Sequence, residues 1–284
     1  MRVRNSKRYW GFKTLIPYLV LSSGLVLTAF PYFWMVLASI KPEEEIYTRF
    51  WPTRLTIEHY VFILGGEMTG TEYLFLKALW NSLVVATGAT ASVVFFSALT
   101  GYVLAKHQVA GKAWLNRIIL LQMLVPPILF LIPRFLIVLK LKLVNSYLGM
   151  MLPFLMSAWA TFLFAQFFRT IPDDLIQAAR LDGCSEFRIV FRIMMPLARS
   201  VIAIVSIFTF IAMWDEFLWY LIVTKDYRLM PLSVLLALFT KGEFDAYPGV
   251  QMAGATLLSL PVFVLFFLFR KYFTEGIALT GLKT

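Results

Sequence analysis

The chain has 284 residues, of which 60% are hydrophobic and only 15% are charged, and its formal net charge is +10. Soluble domains average about 25% charged residues, so this composition indicates a polytopic membrane protein and argues against a soluble globular enzyme. Cytoplasmic loops collect Lys and Arg, so membrane topology and anionic lipid explain the positive charge without nucleic acid.

The N-terminal stretch MRVRNSKRYWGFK resembles the basic region of a signal peptide. The apolar run after it continues to Ile40, which is too long for the core of a cleaved signal, and no clear small-residue cleavage site follows. We therefore expect a first membrane span that is retained.

Windows of about 18 or more apolar residues predict six transmembrane helices and an all-α fold. The predicted spans cover residues 12–40, 78–105, 114–139, 147–168, 201–223 and 252–273. They divide the chain into a first span with its flanking segments (1–77), a core of five spans (78–273) and a tail (274–284). A charged loop at 170–200 lies within the core.

Most Lys and Arg residues lie on one side of these predicted spans. That side comprises the N-terminal segment, the loop after the second span, the loop at 170–200 and the tail. Basic residues on the other side are fewer and are offset by acidic ones, with Lys140 and Lys142 as a mild exception. The positive-inside rule therefore predicts that both termini and the loop at 170–200 are cytoplasmic.

The third predicted span contains Pro126, Pro127 and Pro133. Proline removes backbone hydrogen bonds and kinks helices, so the sequence fits either a broken helix beside a pathway or a static kink. Arg134 follows directly, and it either reaches the outer surface or pairs with an acid of the fifth span.

The loop at 170–200 reads as two short helices joined by a glycine elbow. Pro172 suits the first position of a helix, and the acids after it suit the positive end of the helix dipole. Gly183 fits a left-handed C-terminal cap, and Ser185 can cap a second helix. In that second helix, spacing predicts one apolar face with Phe187, Val190, Phe191 and Met194 and another with Arg188, Arg192 and Arg199.

Two functions fit this loop from its pattern alone. Ala178 and Ala179 have almost no side chain, so a partner protein could approach the backbone closely. Alternatively, the loop is an amphipathic helix that rests in the lipid headgroup region.

The fifth span carries the adjacent acids Asp215 and Glu216 in the stretch MWDEFLWY. Charges inside a span are costly, so they favour a polar patch along a water-filled route, where carboxylates bind hydroxyl groups and aromatic rings pack on sugar rings. The alternative is an aromatic belt at the outer interface. The candidate path residues are Trp214, Asp215, Glu216, Trp219 and, on the third span, Arg134. Asn81, Ser82 and Gln251 are read as helix caps and interface polarity at span ends.

The stretches QAARLDG (177–183) and FRIMMPL (191–197) resemble the signature loop of permease subunits of ABC importers. The surrounding sequence is similar to the carbohydrate-uptake branch, of the maltose-permease second-subunit type, from about residue 78 to the end. Further supporting stretches are NSLVVA (81–86), NSYLGMMLPF (145–154), FFRTIPDDL (167–175), FTFIAMWDEFLWYLIV (208–223) and the tail from GVQMAGATLL onward.

This resemblance implies a type I ABC importer fold in a bacterial inner membrane and the import of a sugar, polyol or glycoside. It also implies two ATP-binding cassette subunits, a second homologous permease, an extracytoplasmic solute-binding protein and surrounding lipid as partners, and no nucleic acid. ATP and Mg²⁺ would be used by the partner ATPase, with no cofactor bound by this chain. The residues that match the coupling motif or lie beside it are Gln177, Ala178, Ala179, Asp182, Gly183, Ser185, Arg188, Arg192 and Pro196.

The sequence departs from the family pattern at one coupling position and at one candidate path position. Gln177 replaces the usual Glu, which puts in doubt any ion pair made there, and Asp215 replaces the usual Asn, which disfavours an anionic solute.

Other functions have weaker support. The turn GGEMTGT at 65–71 lacks the Lys of a P-loop, so ATP hydrolysis by this chain is not expected. An autonomous secondary transporter would usually show internal repeats, and none is evident. An intramembrane enzyme would need a nucleophile and a base or a metal cluster, but Cys184 lies in the loop and His59 and His107 lie outside the spans.

Overall fold

The computed structural model describes residues 15–65, 73–239 and 247–281, with side chains of the last helix described to residue 269. The N-terminal basic segment, most of the turn at 65–71 and the last tail residues lie outside these ranges. The described residues form α-helices with short 3-10 turns and contain no strand, so the all-α prediction is confirmed. The α-helices are α1 (Leu15–Ala38), α2 (Glu58–Gly65), α3 (Leu74–Lys106), α4 (Lys112–Leu124), α5 (Leu131–Lys140), α6 (Tyr147–Met151), α7 (Ala158–Thr170), α8 (Asp173–Leu181), α9 (Glu186–Ile189), α10 (Met195–Leu197), α11 (Arg199–Trp214), α12 (Leu218–Val223), α13 (Leu232–Phe239) and α14 (Pro248–Gly281).

Three described helices are long and apolar enough to cross a membrane by themselves: α1, α3 and the part of α14 from Pro248 to Phe269. Three further helix pairs pass the same test but are bent, by 102° between α4 and the segment 127–140, by 50° between the segment 147–154 and α7, and by 85° between the segment 186–197 and α11. Counting each pair as one span gives up to six spans, which is the predicted number. The third pair, however, joins α11 to residues 186–197 of the charged loop, whereas the predicted fifth span (201–223) joins α11 to α12.

The third predicted span is a broken helix, which is one of the two alternatives that its prolines predict. Helix α4 ends at Leu124, and a separate 3-10 turn begins at Pro127 before α5. The adjacent prolines explain the break, because neither has an N–H to continue the helical hydrogen bonds and the residue before a proline avoids the α conformation.

Helix α3 is the centre of the fold and packs along α7 and α11. It has 33 residues and is about 50 Å long, which exceeds the roughly 30 Å hydrocarbon core of a bilayer. Where α3 crosses α7, a Cβ on Gly101 would lie 2.6 Å from Phe164 Cβ and 3.0 Å from the backbone nitrogen of Ala165. Only glycine therefore permits this close approach, as is common where membrane helices cross.

The two ends of α3 define the two ends of the molecule. The Gly183 end contains the last turns of α3 and α7 together with α8, α9 and α10, around buried Phe164, Phe168 and Val190. The Asn81 end contains the start of α3, α6 and the segment after α12, around buried Trp219, Tyr220 and Met230.

Lys41 is completely buried just beyond α1. Its Nζ donates to the carbonyl of Arg49 at 2.8 Å and lies 4.0 Å from the centre of the Trp34 ring. Burial lowers the pKa of Lys41. This residue therefore organises the segment after α1 and is not a solvated surface charge.

Candidate functional site

The loop at 170–200 folds as the predicted elbow. Helix α8 begins after Pro172 and carries Asp173 and Asp174 in its first turn. It ends at Leu181, and two residues later Gly183 has a left-handed φ of +76°, while the Cys184 N–H donates to the carbonyl of Ala179 at 2.9 Å. Ser185 then caps α9 by accepting a hydrogen bond from the Arg188 N–H. The sequence produces a sharp turn here because glycine takes positive φ without strain.

Helix α8 has one face against the chain and one open face. Ile176 and Ala179 are buried, whereas Gln177 and Ala178 are exposed. Leu181 is 89% exposed and lies about one turn after Ala178, on the same face. Both alanines were candidates for close approach by a partner. Only Ala178 is available to one, because Ala179 packs within the chain. Sequence analysis missed Leu181, whose spacing from Ala178 was the available signal.

The second helix of the loop does not have the single apolar face that its spacing predicted. Val190 and Met194 are buried, but Phe187 is 64% exposed and Phe191 is 38% exposed. The cause is a π-helical turn over Val190–Met194, which inserts an extra residue per turn and rotates the faces. The Phe191 ring instead stacks on Phe95, at 5.7 Å between ring centres, and on Phe187 at 6.5 Å. Asp182, Arg188, Arg192 and Pro196 are exposed, and exposed Arg199 donates to the carbonyl of Pro196 at 3.1 Å.

Both ends of α8 are tied to the last turn of α3 through a set of contacts that we call the α3 junction, defined by Tyr102, Lys106, Asp173, Arg180 and Glu186. Lys106 Nζ donates to Asp173 Oδ1 at 2.6 Å, at the start of α8. Arg180 Nε, at the end of α8, donates to Glu186 Oε1 at 2.8 Å, and the Tyr102 hydroxyl donates to Glu186 Oε2 at 2.6 Å.

Charge reinforces the α3 junction. Hydrogen bonds from Arg180 and Tyr102, with the positive charge of Arg180, lower the pKa of Glu186 to about 2. The His107 ring, whose Nε2 lies 3.2 Å from Glu186 Oε2, adds to this effect. Lys106 likewise lowers the pKa of Asp173. Sequence analysis did not find this junction, because its members are separated by up to 84 residues along the chain.

The fifth predicted span is interrupted at the adjacent acids. Helix α11 ends at Trp214, and α12 begins at Leu218. Glu216 stabilises the break: its Oε1 accepts a hydrogen bond from the Trp219 N–H at 2.9 Å, and its carbonyl accepts one from the Ser233 hydroxyl at 2.8 Å. Asp215 is exposed on the chain, and its carboxylate has no hydrogen bond or ion pair with any of the described residues. The two acids therefore have different roles.

The other candidate path residues lie elsewhere. The indole N–H of Trp214 donates to the carbonyl of Leu258 at 2.9 Å, and that of Trp219 donates to the carbonyl of Met150 at 3.1 Å. Both rings are buried within the chain, so they hold helices together and do not face an open surface.

Arg134 is half-buried, and its guanidinium lies 5.8 Å from the centre of the Phe130 ring and 5.7 Å from that of Phe154. It makes no ion pair with Asp215 or Glu216, which are both described. The structure thus pairs Arg134 with aromatic rings and not with either of the two acids that sequence analysis offered as its partners.

The sequence predicts that Asn81 and Ser82 are span-end caps, but both lie inside α3 and bind a distant segment. Asn81 Nδ2 donates to the carbonyls of Arg228 at 2.9 Å and Met230 at 3.1 Å, and its Oδ1 accepts from the Tyr147 hydroxyl. The Ser82 hydroxyl accepts from the Leu232 N–H at 2.8 Å. These contacts hold residues 228–232 against α3 at the Asn81 end.

Comparison with known proteins gives one family. The family model described as "Binding-protein-dependent transport system inner membrane component" matches residues 94–278. The chain is 33% identical to the arabinooligosaccharides transport system permease protein AraQ of Bacillus subtilis (strain 168), over 91% of this chain and 92% of that protein. It is 28% identical to the sn-glycerol-3-phosphate transport system permease protein UgpE of Brucella abortus (strain 2308), over 94% and 96%.

A solved structure shares the fold. A chain from the crystal structure of a bacterial ABC transporter involved in the import of the acidic polysaccharide alginate superposes with a TM-score of 0.83, at 20% identity, and covers 95% of this chain and 100% of that chain. The three sets of broken helices thus belong to a fold that a membrane transporter uses.

Proposed function

Because the chain belongs to the family of binding-protein-dependent transport system inner membrane components, we propose that it forms half of the translocation path of an ATP-driven importer. We further propose that the solute is a neutral oligosaccharide or a related polyol or glycoside. The names of the relatives refer to arabinooligosaccharides and sn-glycerol-3-phosphate, which both carry hydroxyl groups, although only the oligosaccharides are neutral. The exposed carboxylate of Asp215 supports a neutral solute over an anionic one, since like charges repel.

The open face of α8 is the observation that carries this proposal. A short helix exposes Gln177, Ala178 and Leu181 while both of its ends are fixed to the chain. The small Ala178 side chain lets a protein groove approach the backbone, and the exposed Leu181 supplies apolar area to bury against it. An ATP-hydrolysing subunit, which uses ATP and Mg²⁺, would grip this face and move α8 when it closes on nucleotide.

The complete importer would contain two such ATP-hydrolysing subunits, a second homologous permease and an extracytoplasmic solute-binding protein. The Gly183 end would then face the cytoplasm together with both termini, as the distribution of Lys and Arg supports. The Asn81 end would face the binding protein.

The solute path would pass the break between α11 and α12. An unpaired carboxylate is too costly to expose to lipid, so Asp215 favours a water-filled surface at this break. There it can accept hydrogen bonds from solute hydroxyl groups, while Glu216 is occupied in holding the break.

Site-directed crosslinking tests the docking of α8. In a Cys184→Ser background, Ala178→Cys should crosslink to an ATP-hydrolysing subunit that copurifies with the chain, through a short thiol–amine reagent. Tyr227→Cys, which is 60% exposed at the Asn81 end, is the matched control and should not. Absence of any crosslink from position 178 in a complex that hydrolyses ATP would contradict the proposal.

Reconstitution distinguishes this importer from an autonomous secondary transporter. The candidate binding protein, identified from a neighbouring gene, is first screened for bound oligosaccharides. Uptake of the retained sugar into vesicles should require the binding protein, the ATP-hydrolysing subunit and ATP. Uptake by this chain alone, driven by an ion gradient, would instead establish the secondary transporter.

A further inference from the structure

The last turn of α3 presents two polar side chains toward α8. Tyr102 and Lys106 are four residues apart and therefore lie on the same face of α3. Both are removed from solvent: Tyr102 is 2% exposed, and the Lys106 side chain is 5% exposed. Buried polar groups of this kind are held by specific partners, because leaving them unpaired is costly.

Through these partners, both ends of α8 are connected to α3. Lys106 binds Asp173 and the carbonyl of Ile171, at the start of the helix. Tyr102 binds Glu186, which in turn binds Arg180 in the last turn of α8. A helix that is fixed at one end can pivot, whereas a helix that is fixed at both ends moves together with the element that holds it.

Glu186 connects α8, α9 and α3. It is the first residue of α9, it lies beyond the glycine elbow, and its carboxylate is shared by the Tyr102 hydroxyl and the Arg180 guanidinium. Hydrogen bonds to a charged group are about twice as strong as neutral ones, so this contact resists separation of α8 from α3.

We propose that Glu186, held by Tyr102 and Arg180, is a positioning residue that transmits movement of α8 into α3 and so to the opposite end of the molecule. This inference rests on the proposed function, because it takes α8 to be moved by an ATP-hydrolysing subunit. Helix α3 is suited to the task, since it is continuous over Leu74–Lys106 and carries Asn81 and Ser82 at its other end.

Two variants test the contact with little change of shape. Tyr102→Phe removes only the hydroxyl, and Glu186→Gln removes only the charge. Their matched controls are Tyr32→Phe, on the exposed surface of α1, and Glu44→Gln, at an exposed position after α1. All four are made in a Cys184→Ser, Leu218→Cys parent, which places a thiol at the break beyond α11.

The measurement uses the complete complex in lipid nanodiscs. The rate at which a polar maleimide reacts with Leu218→Cys is compared without nucleotide and after trapping with Mg²⁺, ATP and orthovanadate. Binding of the ATP-hydrolysing subunit and its ATP hydrolysis rate are measured on the same samples. If the contact only stabilised the fold, its loss would reduce subunit binding, ATP hydrolysis and the maleimide response together.

The expected result is that Tyr102→Phe and Glu186→Gln keep subunit binding and ATP hydrolysis but lose most of the nucleotide-dependent change at Leu218→Cys. The equilibrium between the two accessibility states should shift by about tenfold, the size expected from one hydrogen bond to a charged group. The double variant should add little to either single variant, because both disrupt one contact.

Three outcomes overturn the inference. If both variants respond to nucleotide like the controls, movement reaches the break by another route. If they no longer bind the ATP-hydrolysing subunit, Glu186 shapes the docking surface and does not transmit movement. If the unmodified parent shows neither binding nor a response to nucleotide, the proposed function itself fails, and the inference falls with it.

Discussion

Gly183 shows how a single residue sets the direction of a functional loop. Its φ of +76° costs an L-residue about 1 kcal/mol or more, while a Cβ there would meet no atom within 4 Å. Gly111, with φ of +78° and equally open surroundings, provides a matched comparison in the α3–α4 connection. Gly183→Ala and Gly111→Ala should each lower the free energy of unfolding by about 1 kcal/mol.

The two alanine variants should differ in function. Only Gly183→Ala changes the angle between α8 and α9, so only it should lower the amount of solute imported per ATP hydrolysed. Thermal unfolding in detergent measures the first effect, and reconstituted uptake with parallel phosphate release measures the second. Equal loss of uptake in both variants would mean that the angle at Gly183 has no special role.

At the opposite end of the molecule from Gly183, a single buried side chain, that of Asn81, connects α3 to distant segments. It is 3% exposed and satisfies the carbonyls of Arg228 and Met230 while accepting from Tyr147. Asn81→Leu keeps the number and branching of the side-chain heavy atoms but leaves these buried groups unpaired, so we expect a loss of about 2 kcal/mol in stability. Asn116→Leu, at a half-buried position on α4, should cost far less. A similar unfolding temperature for the two variants would contradict the proposed tie.

Residue-level roles were predictable from the sequence where they depend on local conformation, and not where they depend on distant contacts. The residue types and spacing of Gly183 and Ser185 indicate the C-terminal cap of one helix and the N-terminal cap of the next. Lys41 and Asn81 look like ordinary loop and span-end polarity, because nothing near them in sequence shows that the chain returns to bury them. Asp215 and Glu216 are neighbours of similar chemistry, and only the fold assigns one to a helix cap and leaves the other exposed.

At the level of elements, the break between α11 and α12 depends on Glu216. Its carboxylate caps the first turn of α12, and replacing such a cap by alanine costs about 1 kcal/mol. Glu216→Ala should therefore lower the unfolding temperature in detergent, whereas Asp215→Ala should not. Uptake should show a different order, with Asp215→Ala impaired despite normal stability. Equal thermal destabilisation by both changes would remove the distinction between the two acids.

The α8–α9 elbow should weaken in acid. Because the pKa of Glu186 is lowered to about 2 from its ordinary 4.5, the unfolded chain takes up the proton first as pH falls. The stabilisation by Glu186 is thus present above about pH 4.5 and is lost progressively toward pH 2, and Asp173 acts in the same direction.

Unfolding temperatures measured between about pH 6 and pH 3 check this expectation. Glu186→Gln should be less stable than the parent at neutral pH and should lose less stability on acidification, because it has no proton to gain at this position. Glu44→Gln is the control for a neutralised exposed acid. A pH profile of Glu186→Gln that runs parallel to the parent would show that the depressed pKa contributes nothing to stability.

The six spans illustrate what apolar length can and cannot predict at the scale of the whole molecule. Windows of hydrophobicity predicted the number of candidate spans, and the resemblance of the loop at 170–200 led to the correct family. Length alone could not show that three of the spans are bent by 50° or more, since a window counts apolar residues and not the direction of the chain. Pro126-Pro127 marked one bend in the sequence, but the π-turn at Val190–Met194 left no local signal.

The orientation of the molecule in the membrane can be tested with a residue that the chain already contains. Cys184 is the only cysteine in the sequence, it is partly exposed, and it lies in the elbow at the Gly183 end. If that end is cytoplasmic, as the excess of Lys and Arg predicts, a membrane-impermeant maleimide should label Cys184 in inside-out vesicles and not in intact spheroplasts. A Cys184→Ser, Tyr227→Cys variant should show the opposite pattern, because Tyr227 is exposed beyond α12 at the Asn81 end. Vesicles are stripped of peripheral proteins first, so that an ATP-hydrolysing subunit on α8 does not shield the thiol. Labelling of Cys184 from outside the cell would invert the topology and place α8 out of reach of any cytoplasmic ATPase.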